Sequence, residues 1–265
     1  MGTLRLGLRL ALFSGFLVVT GLIATACLAL ELIPRQSINR APIARFCFDY
    51  AGRCLGFRTR FEGQPASGPV LFVSNHVSWS DIPVLGGRAP LRFLSKAEVA
   101  RWPVIGWLAR QAGTLFITRG GGRAGEIRAE IASALAAGQS VLVFPEGTTS
   151  SGLTVLPFHG RLLQAAADAG VAIQPISIAY TRNGQPDHLA PFTGDDEFQQ
   201  HLPRMLRHPA VDVTVLFHSP QQVSADQSWH DVAEGLRETV ATGVQRIYQA
   251  RHLNTADAPE QLPLR

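Results

Sequence analysis

With 265 residues, 46% of them apolar, and a net charge of +4, the chain has the length for one sizeable α/β domain plus an appendage. Its composition lies in the globular range, but a positive mean hydropathy of +0.11 puts part of the apolar surface against lipid. There is no basic run of five, no zinc-finger spacing and no RNA-binding aromatic string, which excludes nucleic acid as a partner, and three cysteines, Cys27, Cys47 and Cys54, are too few for a disulfide framework or a zinc site.

Residues 10–30 carry no charge and would form about 30 Å of helix, enough to cross a bilayer core. A cleaved signal peptide is the rival reading, but its apolar core normally runs 7–15 residues. Arg5 and Arg9 precede the run, whereas Arg35, Arg40, Arg45 and Arg53 follow it closely. That bias favours a catalytic domain on the cytoplasmic side of the cytoplasmic membrane. A helix lying in the interface, or a shallow hairpin with residues 34–50 broken at Pro34 and Pro42, is the alternative seating. The expected division is a membrane helix over 1–33, an interfacial connector over 34–64 that includes RFCFDY (45–50), a catalytic domain over 65–252 and a disordered tail over 253–265.

Within the domain the pattern predicts a strand at GPVLFVSNH (68–76), a helix starting near Asp81 and Pro83, and a strand at LRFLS (91–95). A Trp-rich segment (101–112) follows; Trp102, Pro103, Ile105 and Trp107 read either as an interfacial face or as core. Then come a strand at GTLFIT (113–118), a helix at 124–137, a strand at SVLVFPE (140–146), a helix near 158–169, strands at 171–180 and 211–218, and a helix at 228–251. Alternating strands and helices indicate an α/β fold with a mixed, largely parallel sheet flanked by helices. Charge is uneven along the chain: the first 160 residues hold 16 basic and 8 acidic groups, the rest 8 and 12. A basic front suits anionic headgroups and acidic carriers.

His76 ends a buried-looking strand and Asp81 opens the next helix. On one continuous helix five positions turn by about 500° and the side chains diverge, so a strand–turn–helix corner is needed to bring them together. In such a pair the carboxylate fixes the imidazole tautomer and leaves the other ring nitrogen to take a proton from a hydroxyl. No G-x-S-x-G elbow is present, which makes the substrate's own hydroxyl the nucleophile. Taken alone, the pair reads more readily as a capping aspartate and a structural histidine. FPEGTTS (144–150) places Glu146, Gly147 and Thr148 in a turn after a strand, suited to holding a polar headgroup or presenting amides to an oxyanion. GTLFITR (113–119) ends in Arg119. Of 24 basic residues only Lys96 is a lysine, which hints that a compact ammonium is wanted there.

NHVSWSD (75–81), GTLFITR, FPEGTTS and IQPISIAY (173–180) together resemble the four ordered blocks of the bacterial 1-acyl-sn-glycerol-3-phosphate (lysophosphatidate) acyltransferase family, over roughly residues 65–220. The resemblance implies His76 and Asp81 as the catalytic pair, and Lys96, Arg119, Glu146, Gly147 and Thr148 as acceptor-binding residues. It implies no metal or cofactor, with acyl-CoA or acyl carrier protein as donor and membrane lipids and a lysolipid acceptor as partners. The expected reaction transfers a fatty acyl group to the sn-2 hydroxyl of 1-acylglycerol-3-phosphate. One departure weakens the phosphate assignment: the third block commonly reads EGTR-S, whereas this chain has Thr149. Threonine there is also found in relatives that acylate lyso-ornithine lipid, which is the alternative acceptor. A lipid hydrolase and a non-catalytic lipid-binding membrane protein are the readings outside this class.

Overall fold

The computed structural model describes residues 1–33, 38–118 and 123–256. Helix α1 (Gly2–Glu31) and helix α2 (Ala41–Leu55) precede strand β1 (Phe57–Glu62) and strand β2 (Leu71–Ser74). Helix α3 (Asp81–Gly86), strand β3 (Leu91–Lys96), a 3₁₀ turn (Val99–Arg101), helix α4 (Ile105–Gln111) and strand β4 (Leu115–Ile117) follow. The chain continues through α5 (Ala124–Ala136), β5 (Ser140–Val143), α6 (Gln164–Asp168), β6 (Ile173–Arg182) and β7 (Gln185–Pro186), and ends with α7 (Phe198–Arg207), β8 (Val211–Phe217) and α8 (Trp229–Ala256).

Seven strands form one sheet in the order β1-β8-β6-β2-β5-β3-β4, with β7 paired to β6. β6, β2, β5, β3 and β4 are parallel neighbours, and β8 pairs antiparallel with β6 and carries β1 beside it in its own direction. This is the mixed, largely parallel sheet expected from the alternation. Strand residues alternate between two cores, as the period of two requires. Phe72, Phe93, Leu142 and Ile178 pack with α3 and α7 on one face, while Leu71, Val73 and Val141 pack with α5, α6 and α8 on the other.

Four elements differ from the sequence reading. α2 occupies about half of the expected connector; Pro42 lies in its first turn, where no intrahelical donor is lost, so it starts the helix rather than breaking the segment. β1 joins the sheet through β8, so residues 57–62 belong to the catalytic layer and not to the connector. α7 carries Pro203 inside it and was hidden by that residue, which removes a helical hydrogen bond. At the other end α8 runs to Ala256, past the expected start of the tail.

α1 is long and apolar enough to cross a bilayer, yet it packs along the domain against α2, α4 and α7. Arg9 donates to the carbonyls of Leu206 and His208 at the end of α7, and Arg5 to that of Arg207. Gly56, the left-handed cap of α2 at φ +84°, admits the Arg9 guanidinium where a Cβ would lie 2.3 Å from it. Further along α1, Gly21 lies against the Trp107 ring, and Glu31 pairs with Arg40, which also reaches Gln111 of α4. The opposite side of α1 presents Leu4, Leu8, Leu12, Val19, Leu22 and Leu30 as exposed side chains.

Candidate active site

Parallel strands place their carboxyl ends together, and loops leaving those ends form the crevice of an open α/β sheet. β2 leads into His76, β5 into Glu146 and β3 ends at Lys96. Lys96 is exposed at the same sheet end as His76, two strand spacings away, or about 10 Å. Arg119 lies outside the described residues.

The strand–turn–helix corner forms as the spacing required. His76 Nδ1 lies 2.7 Å from Asp81 Oδ2, and that oxygen also accepts the main-chain N–H groups of Val77 and Ser78 at 2.8 and 3.1 Å. Asp81 Oδ1 accepts the Tyr180 hydroxyl at 2.7 Å. Asp81 is wholly buried while the His76 side chain is 19% exposed. Among the described residues, His76 Nε2 has no hydrogen-bond partner. The imidazole stacks on Phe144 at 3.8 Å between centroids and 11° between planes, which holds the ring plane. Asp81 therefore closes the turn before α3 and partners the imidazole, but it accepts no amide of the helix and is not the capping residue that its position suggested.

Glu146 is placed differently from the expectation. Its Oε1 accepts the His76 N–H at 2.7 Å and its Oε2 the Leu156 N–H at 3.1 Å, and the residue is 4% exposed. Both oxygens face inward, so Glu146 ties the first block to the third. Burial pushes its carboxyl up to about 7, against the pull of the two amides. Gly147 follows at φ +69°, with its N–H given to Phe144 O at 3.0 Å; the His159 ring lies 3.5 Å from where a Cβ would sit. Thr148 is exposed. Thr149 donates to the carbonyl of Phe192, and the Ser150 N–H returns to His76 O at 2.8 Å. Gly152 at φ +74° lets this loop pass Val77, whose Cγ2 would be 2.8 Å from a Cβ there.

An apolar cavity of about 270 Å³ lies beside the pair, enclosed by α1, α2, α4 and β3. Trp79 and Ile82, on either side of Asp81, form part of its wall, with Trp102 and Phe198 across from them. Trp79 Nε1 donates to His201 Nδ1 at 3.1 Å, and His201 Nε2 donates to Pro191 O at 3.0 Å, tying α7 to the first block. Trp102 and Ile105 line the cavity, and Trp107 meets α1. Trp102, Pro103 and Val104 are also exposed, so the Trp-rich segment is part surface and part cavity wall beside α1, and not sheet core. Trp79, Phe198, Tyr180 and the cavity were not singled out from sequence; a tryptophan between the two residues of the pair was the one available signal.

Residues 58–179 match the family model described as Acyltransferase. The chain is 47% identical over 232 residues to the lyso-ornithine lipid O-acyltransferase of Pseudomonas aeruginosa, covering 84% of this chain and 88% of that protein. It is 40% identical over 146 residues to the 1-acyl-sn-glycerol-3-phosphate acyltransferase of Neisseria gonorrhoeae, covering 55% and 57%. Its fold is similar to that of the 1-acyl-sn-glycerophosphate acyltransferase of Thermotoga maritima, with a TM-score of 0.67 at 22% identity over 92% of this chain and 96% of that one.

Proposed function

The chain belongs to the acyltransferase family and is an acyl-transfer enzyme, and from that premise we propose that it moves a fatty acyl group from a thioester to the free hydroxyl of lyso-ornithine lipid. The observation that carries the chemistry is the 2.7 Å His76–Asp81 bond with Nε2 unoccupied. Nε2 takes the proton of the lysolipid hydroxyl as its oxygen attacks the thioester carbonyl. The tetrahedral intermediate collapses to an ester, and the departing thiolate takes the proton back from His76. Asp81, ionised and buried, stabilises the imidazolium between the two transfers. The Gly147 amide is spent on Phe144 and those of Val77 and Ser78 on Asp81, leaving the Thr148 and Thr149 amides as oxyanion donors.

The choice of acceptor departs from the first expectation of 1-acylglycerol-3-phosphate. The Pseudomonas aeruginosa relative, named for lyso-ornithine lipid, is 47% identical over 84% of this chain, whereas the Neisseria gonorrhoeae relative, named for the phosphate acceptor, is 40% identical over 55% of it. Thr149 supports the same choice. A phosphomonoester carries about −1.5 to −2 charge and rewards a bidentate guanidinium; an ornithine headgroup offers one carboxylate beside its own ammonium and needs fewer cations, a role for Lys96 and Arg119. Transfer to 1-acylglycerol-3-phosphate is the second reading, favoured by the resemblance of the blocks. The apolar cavity beside the pair is suited to an acyl chain, delivered by acyl-CoA or acyl carrier protein.

The proposed membrane seating draws on α1. Its clasp along the domain and its apolar outer side support a seating within one leaflet, and the basic front supports the anionic cytoplasmic face. The test uses purified protein in liposomes with a labelled acyl thioester and either acceptor. Transfer chiefly to lyso-ornithine lipid, abolished by His76→Ala, is expected. Equal or greater transfer to 1-acylglycerol-3-phosphate overturns the acceptor assignment, and thioester loss independent of any acceptor identifies a hydrolase.

A further inference from the structure

The fourth block contributes a side chain to the His76–Asp81 pair. Tyr180 on β6 is 1% exposed, with its ring held edge-on to Phe57. Its hydroxyl donates to Asp81 Oδ1 at 2.7 Å and accepts the Ser80 hydroxyl at 2.9 Å. A directional chain therefore runs Ser80 to Tyr180 to Asp81 to His76, and each donor polarises the next. The register that makes this reach possible is fixed nearby. Asn75, fully buried, donates to Ile178 O and accepts from Ile178 N, both at 2.9 Å, which continues the β2–β6 ladder past its last strand pair at Ser74 and Ile176. Ile178 and Tyr180 share a strand face, so pinning one aims the other.

Resting on the acyl-transfer reading above, we infer that Tyr180 is a positioning residue for the reaction: its hydroxyl locks the Asp81 carboxylate, and through it the direction of His76 Nε2. Among the described residues Oδ2 has three donors, and Oδ1 has Tyr180 alone. Without that bond a buried carboxylate oxygen is left unsatisfied, and the carboxylate is free to turn about its last torsion. Burial and the Asp81 charge push the Tyr180 phenol well up, so it remains a donor throughout the working range. Tyr180 touches no substrate in this scheme, so its loss acts on turnover and leaves binding alone.

The experiment measures kcat and KM for both substrates in Tyr180→Phe, Ser80→Ala, the double variant and His76→Ala. Tyr180→Phe is expected to lower kcat about tenfold, the worth of one charge-assisted bond, with both KM values within about twofold. Ser80→Ala lowers kcat about threefold, and the double variant equals Tyr180→Phe, because Ser80 acts only through the phenol. A kcat within twofold of the parent in Tyr180→Phe, a loss that appears in KM, or effects that multiply in the double variant overturns the inference. If Tyr180→Phe shows no cooperative thermal transition, Ser80→Ala decides by the same criterion. An active His76→Ala removes the underlying reading instead, whereas an inactive His76→Ala beside a fully active Tyr180→Phe removes this inference alone.

Discussion

Glu146→Gln separates the stability of the site from its activity. In the folded chain the Glu146 carboxyl is pushed up to about 7 from 4.5, so between those values the native state holds a proton that the unfolded chain has released. The contribution of this group to stability is complete below about pH 4.5, falls as pH rises and is gone above about pH 7. A shift of that size corresponds to about 3 kcal/mol, an upper figure because the site relaxes. Glutamine removes this penalty but turns an NH2 toward one of the two amides that the carboxylate accepts, which costs about 1–3 kcal/mol. The variant should therefore gain on the parent as pH rises from 5 to 8.5, by up to about 6–12 °C in Tm for a chain of this size. Its kcat should fall because the His76 main chain loses or weakens its anchor. The assay is thermal unfolding in detergent at closely spaced pH, paired with kinetics at pH 8. A difference in Tm that stays flat across this range refutes the burial argument; an undiminished kcat refutes the anchoring role.

Asp81→Asn should keep the turn, because an amide oxygen in place of Oδ2 still accepts the Val77 and Ser78 amides and the His76 ring, while lowering kcat by about 10²–10³ because the neutral side chain no longer stabilises the imidazolium; comparison of Tm and kcat checks this. Thr149→Arg should move relative acceptance toward 1-acylglycerol-3-phosphate by about tenfold, measured as the ratio of kcat/KM for the two acceptors. Leu12→Glu with Leu22→Glu, both on the bare side of α1, should release the protein from anionic liposomes in flotation while Tm changes by under about 2 °C. Gly152→Ala should cost about 2–4 kcal/mol, since it meets both a positive φ and Val77.

The central strands and α5 were legible because each shows a plain period, of two or 3.6, beside turn residues. α2 was not, because its aromatic residues suit an interface as well as a helix against a domain. β1 alternates exposed arginines along an edge, and its partner β8 lies about 150 residues away, a pairing that no local pattern encodes. The same limit governed the site. His76 and Asp81 are five residues apart and could be paired by local geometry. Tyr180 reaches Asp81 only through the β2–β6 register. Glu146 was recognised as a site residue from its block, but the direction of its carboxylate depends on where the amides of His76 and Leu156 fall after folding.

The arginine clasp between α1 and the end of α7 changes how the enzyme meets its substrates. A tethered domain would sample the aqueous volume beneath its anchor, and its lipid would have to rise out of the bilayer. Under the proposed seating, a domain strapped along its anchor has a set depth, so the proposed lysolipid arrives by lateral diffusion and the search is confined to two dimensions. Turnover under the proposed seating then follows the surface density of lysolipid in the leaflet, and diluting the acceptor with inert lipid slows the reaction even when its bulk concentration is unchanged.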